Sequence, residues 1–170
     1  MKTQGSKERS KIDKPTARIL ATVKAPIKVA FDYIQPVPLD IIFPGYHNIP
    51  AIIKTDEKEL WITPGKSRTV TFADGNSAFE SMLHVDYPNY FSYKLERFSS
   101  ENLNSLVDRV DGAWVFIAIE NDKALIEWNY VFIPKNDEAG AIVIQPVLPE
   151  FQGMLEQAME IIKENLESVE

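Results

Sequence analysis

Between residues 51 and 134 apolar side chains recur at every second position, in short runs separated by turn residues. This is the period of half-buried strands. It predicts strands over Ala51–Thr55, Ser67–Ala73, Ala78–Asp86, Tyr90–Phe98, Val107–Glu120 and Ala124–Pro134, with Ala17–Lys24 as a seventh at the front. Asp74-Gly75 and Asn121-Asp122 mark tight hairpins, and Pro88-Asn89 marks a further turn. Parallel connections need a dozen or more residues each, so such short links predict an antiparallel meander.

The period then changes. From Pro149 to Val169 the residues Phe151, Met154, Leu155, Ala158, Ile161, Ile162, Asn165 and Leu166 fall on one stripe, with Glu156, Glu160, Lys163, Glu164 and Glu167 opposite. That is an amphipathic helix of about 20 residues. A sheet of this size must bury one face, and this is the long apolar stripe available to cover it. The sheet is therefore expected to curve around the C-terminal helix. After the first strand, Ala25-Pro26 opens a helix carrying Val29, Ala30, Tyr33 and Ile34, stopped by Pro36 and Pro38. A short helical turn over Leu39–Phe43 follows, and Gly45–Pro50 reads as loop. The fold class is α+β, one domain over 15–170 behind a flexible basic tail at 1–14.

Composition narrows the function more than the fold. The chain has 170 residues and no cysteine, which removes disulfides, zinc–thiolate sites and cysteine nucleophiles. The tail carries Lys2, Lys7, Arg9, Lys11 and Lys14 against Glu8 and Asp13, a net of +3 that leaves −10 on the rest of a chain whose net charge is −7. An acidic body repels phosphate backbones, so no nucleic-acid partner is expected. The longest apolar runs are too short for a membrane span, and the N-terminus lacks the apolar core of a secretory signal. A cytoplasmic monomer or homodimer is the default expectation, without integral membrane association.

Strand parity selects the candidate site. Phe91, Tyr93 and Leu95 share a face, as do Trp114 with Phe116, and Ile126 with Trp128, Tyr130 and Phe132. Such aromatic density suits a packed core, and the polar tips of Trp and Tyr also suit a cavity wall. If the hairpin turns at Asp74-Gly75, Arg68 and Glu80 face each other across neighbouring strands, with Met82 and His84 on the Glu80 face. Three readings of that pair stand: a solvated surface pair, a buried pair that fixes register, and a pair lining a pocket that orients a ligand carbonyl or carboxylate. Gly153 interrupts the long helix, either for close packing or to leave room for a ligand, and Met154 and Met159 offer an adaptable wall. His47 and His84 are the two histidines, each a candidate general base or an ordinary satisfied side chain. No G-x-S-x-G or phosphate-binding G-x-x-x-x-G-K occurs, and no metal site or cofactor is expected.

The order of these pieces resembles the START/Bet v 1-like (SRPBCC) superfamily, and within it bacterial polyketide cyclase/dehydrase-like and lipid-transport-like proteins. The matching pieces are Ala25-Pro26…Phe31-Asp32-Tyr33-Ile34, Trp61…Gly65…Ser67-Arg68-Thr69-Val70, Asp74-Gly75…Glu80, Phe91…Tyr93, Trp114…Phe116 and Trp128-Asn129-Tyr130…Phe132. The resemblance covers roughly residues 15–168. It implies a helix-grip fold: a seven-stranded antiparallel sheet curved around the long C-terminal helix, with two short helices after the first strand. It also implies a cavity for a small hydrophobic molecule, lipid or polyketide-like. The expected ligand-binding residues are Arg68, Glu80, Met82, His84, Tyr93, Trp114, Trp128, Tyr130 and Met154. Binding or transport is the leading expectation. A polyketide cyclase, aromatase or dehydratase is the alternative, with Arg68 polarising a carbonyl and His84, Glu80 or Tyr130 moving protons. A protein-interaction module with a packed interior is the third.

Overall fold

A computed structural model describes residues 14–168. The tail expected over 1–14 therefore lies outside the described residues, apart from Lys14. Seven strands, β1 (Thr16–Val23), β2 (Ile52–Thr55), β3 (Ser67–Phe72), β4 (Ser77–Asp86), β5 (Tyr90–Glu96), β6 (Val107–Glu120) and β7 (Lys123–Pro134), form one sheet in the order β1-β7-β6-β5-β4-β3-β2. Every pairing is antiparallel. The sequence places β2 to β7 as a meander because β3–β4, β4–β5 and β6–β7 are joined by short turns; the β2–β3 and β5–β6 links are longer, 56–66 and 97–106. β1 closes onto β7, where Ile19 faces Trp128.

Two short helices, α1 (Ile27–Ile34) and α2 (Leu39–Ile42), follow β1 as the proline punctuation predicts. The buried face of α1 is Ala30, Phe31 and Ile34, whereas Val29 is half exposed. The long helix α5 (Leu148–Glu167) buries Met154, Leu155, Ala158, Met159, Ile162 and Leu166 against the inner face of the sheet. The helix-grip expectation holds.

Two helices were not anticipated. The first, α3 (Glu101–Leu106), buries no residue fully, so its apolar signal is weak. The second, α4 (Asp137–Ile142), is started by Asn136, whose side chain accepts from the Ala139 N–H at 2.8 Å. It leads toward α5 through a break at Gln145 (φ −150, ψ 114) and Pro146.

One register shift changes the reading of β4. Between Met82 and His84 the strand bulges against β5, so an extra residue enters and the faces exchange. Met82 stays inside, Leu83 and His84 are exposed, and Val85 packs back against the core. His84 is thus not on the face of Glu80, contrary to simple alternation.

Candidate ligand cavity

A cavity of about 430 Å³ lies between the inner face of the sheet, α2 with its following loop, α3 and the first turns of α5. At roughly 24 cal/mol per Å³, a dry closed void of this size would cost on the order of 10 kcal/mol. That is comparable with the whole stability of a domain. The volume is therefore connected to solvent or occupied, and its mouth is indeed rimmed by exposed polar residues such as Asn48, Asp74 and Asn102.

The walls are built by strand parity. Phe91, Tyr93 and Leu95 on β5, Trp114 on β6, and Trp128, Tyr130 and Phe132 on β7 all project into the space. Tyr93, Gly112 and Tyr130 lie on one row across three strands. A Cβ on Gly112 would fall inside the Tyr93 ring, so glycine there lets the ring lie over the sheet. The Tyr93 hydroxyl accepts from Trp128 Nε1 at 2.9 Å, and Trp128 stacks on Trp114 at 4.2 Å between ring centroids. Burial raises the Tyr93 and Tyr130 phenols above their ordinary range, with the Glu80 charge adding to the effect. Both are neutral hydroxyls at any physiological pH.

The polar end is the pair predicted from the hairpin. Gly75 (φ +87) makes the turn, and Arg68 faces Glu80 directly across β3 and β4. Arg68 Nε donates to Glu80 Oε1 at 2.8 Å, and a terminal nitrogen lies 2.7 Å from the same oxygen. The other terminal nitrogen donates to Glu57 Oε1 at 2.9 Å. The guanidinium also lies 4.0 Å over the Trp61 ring, a cation–π contact in a desolvated setting. Arg68 is 2% exposed, so the solvated reading of the pair is excluded. Burial pushes the Glu80 carboxyl above its ordinary 4.5 despite Arg68, and the Glu57 charge adds to the rise. Glu57 moves the other way: burial opposes its charge, but hydrogen bonds, including that from Arg68, and the Arg68 charge outweigh it. Its Oε2 is buried without a partner.

Of the residues expected at the site, Arg68, Glu80, Tyr93, Trp114, Trp128, Tyr130 and Met154 line the cavity. Met82 is 1% exposed but is packed outside the lining. His84 is placed outside it by the bulge, and His47 is also exposed and outside. Gly153 leaves no room for a ligand, because the Tyr46 ring occupies the space a Cβ would need. Sequence reasoning missed Glu57 and the role of Trp61, which sit in the loop between β2 and β3 where no period applies. Phe43, Phe98 and Phe151 complete the wall from loops and α5. Among the described residues no group of three or more His, Asp or Glu is placed to hold a metal ion, and no helix is long and apolar enough to cross a membrane.

No family model matches the chain, and no curated protein matches it in sequence. Solved structures do. A norcoclaurine synthase point mutant from Thalictrum flavum, in complex with a transition-state analogue, is 15% identical with a TM-score of 0.68, over 89% of this chain and 92% of that one. Ara h 8.0201 is 19% identical with a TM-score of 0.57, over 86% and 96%. Protein Ms6760 from Mycobacterium smegmatis is 19% identical with a TM-score of 0.62, over 92% and 93%. At these identities the likeness is one of fold, and that fold is the Bet v 1-like helix grip.

Proposed function

We propose that this protein binds a small, largely apolar molecule in the cavity between its sheet and α5, with the ligand's polar group at the Arg68–Glu80–Tyr130 end. The observation that carries this reading is the 430 Å³ of aromatic-walled space kept open in the middle of the core. A sheet gripping a helix for structural purposes alone would be more stable with that volume packed. Such a site, mostly apolar with a few convergent polar groups, has the character of small-molecule pockets.

Binding is favoured over turnover because the ionisable groups at the polar end are engaged with one another. Arg68 is held by two carboxylates, and both histidines stand outside the cavity. The fold itself accommodates catalysis, as the norcoclaurine synthase neighbour illustrates, but that chemistry belongs to that protein.

The test compares the native and denatured masses of freshly purified protein. A reproducible non-covalent adduct of a few hundred daltons, lost on denaturation, is the expected result. A clean native mass in every preparation, together with no calorimetric binding of aromatic probes, would overturn the reading.

A further inference from the structure

Resting on that reading, we infer that the cavity selects by charge: its ligand carries a neutral or cationic polar group, such as a hydroxyl, carbonyl or amine, and anionic ligands are excluded. Three observations carry this.

The first is the charge inventory. The charged residues lining the cavity are Arg68, Asp74, Glu80 and Glu150, so Arg68 is the single cation among the described lining residues. Glu57, bonded to Arg68, adds a fourth carboxylate to the two at the rim and the one inside. The second is the state of Arg68. Its Nε and one terminal nitrogen are spent on Glu80, the other terminal nitrogen is engaged with Glu57, and one face is covered by Trp61. A carboxylate or phosphate is recognised by the paired N–H fork of a free guanidinium; here the fork formed by Nε and one terminal nitrogen is taken by Glu80, and the other terminal nitrogen already serves Glu57. With both carboxylates ionised the three groups sum to −1; with a proton on Glu80 they sum to zero. At neutral pH they present no net positive charge. The third is the uncharged hydrogen-bonding capacity beside them. The Tyr130 hydroxyl lines the cavity without a protein partner among the described residues, and the Tyr93 hydroxyl accepts from Trp128 but donates to no described group. A neutral hydroxyl or carbonyl can meet these phenols, and an ammonium can approach Glu80. A carboxylate could accept from the same phenols, but it would bring a further negative charge beside Glu80 and Glu57, whose one cation they already share.

The carboxylate half of the earlier reading of Arg68 is thereby set aside. Asp74 and Glu150 at the entrance extend the same bias outward, since a low-dielectric mouth rimmed by acids lowers the local concentration of anions.

The experiment uses three probes that share one ring system and differ in the head group: 2-naphthalenemethanol, 2-naphthalenemethylamine and 2-naphthoic acid. Each is titrated calorimetrically into the full chain at neutral pH. The alcohol and the amine are expected to bind at least tenfold more tightly than the acid. In Glu57→Gln, with its fold verified by circular dichroism, the gap between alcohol and acid should narrow at least threefold. Naphthoate binding as tightly as the alcohol would overturn the charge selection while leaving the cavity reading standing. A gap unchanged in Glu57→Gln would overturn its assignment to the Arg68 set. Failure of all three probes to bind would overturn the cavity reading and this inference with it.

Discussion

Arg68→Ala is the substitution on which the account of the site can be tested most severely. It removes a side chain that is 2% exposed and makes contacts of 2.7–2.9 Å with two carboxylates. What remains is Glu80, buried, and Glu57, which already holds one buried oxygen without a partner. Breaking a buried pair from one side costs about 3–5 kcal/mol, because the remaining charge is left uncompensated. The lost stacking on Trp61 adds up to about 2 kcal/mol. In a domain of this size each kcal/mol lowers the melting temperature by roughly 2–4 °C, so a fall of roughly 6–28 °C is expected. The sign with pH follows from linkage. Arg68 lowers the proton affinity of both carboxyls, so its removal raises both folded-state values and carries Glu80, already above its unfolded value, further up. A raised carboxyl contributes stability below its unfolded value and loses it as pH climbs through the folded one. The deficit of Arg68→Ala against the parent should therefore be larger at about pH 8 than at about pH 5. Urea unfolding followed by far-UV circular dichroism at the two pH values gives both quantities. A deficit under about 1 kcal/mol at the higher pH, or one equal at both, would refute the buried-triad reasoning. Neutralising the set together, as Arg68→Met with Glu80→Leu and Glu57→Gln, should recover at least half of the loss.

Three further outcomes follow from the same geometry. Burial raises Glu80 above 4.5, so its ionised form opposes folding, and Glu80→Gln keeps an oxygen for Arg68; the parent should lose stability relative to this variant as pH rises from about 4.5, and urea midpoints showing a relative gain would contradict it. Tyr93→Phe strands the buried Trp128 Nε1–H and should cost about 1–3 kcal/mol in urea unfolding; a neutral result would mean that the donor had found another partner. Gly112→Ala drives a methyl into the Tyr93 ring and should cost about 1–3 kcal/mol by overpacking; an unchanged thermal midpoint would show that the ring is not held where it lies.

The fold was legible because two periods organise nearly the whole chain. Residues such as Trp114, Trp128 and Tyr130 had to share the buried face once their strands were recognised, and the long β6 and β7 carry many alternations to average over. The Arg68–Glu80 pairing was legible from Asp74-Gly75, since a hairpin turn fixes the register of what flanks it. What failed did so for local reasons. One extra residue at Leu83 reverses parity, so His84 leaves the face that alternation assigned to it. Glu57 and Trp61 come from a loop, where position depends on tertiary contacts such as the Trp61 Nε1 bond to the Lys66 carbonyl at 3.2 Å. The helix α3 carries few apolar residues, and α4 is too short for a stripe, although Asn136 ahead of Asp137 and Glu138 is a cap signal that could have located it.

All three tryptophans of the chain, Trp61, Trp114 and Trp128, are at most 4% exposed and line the same cavity. Their ultraviolet emission therefore carries no surface background: whatever enters or leaves the cavity is seen by every indole at once. The stacked Trp114–Trp128 pair, its rings 17° from parallel, should further give an excitonic near-ultraviolet signature that changes with the occupancy of the site. The protein thus comes with its own optical probe, placed by the packing of its walls, and a ligand can be sought by light without attaching a label.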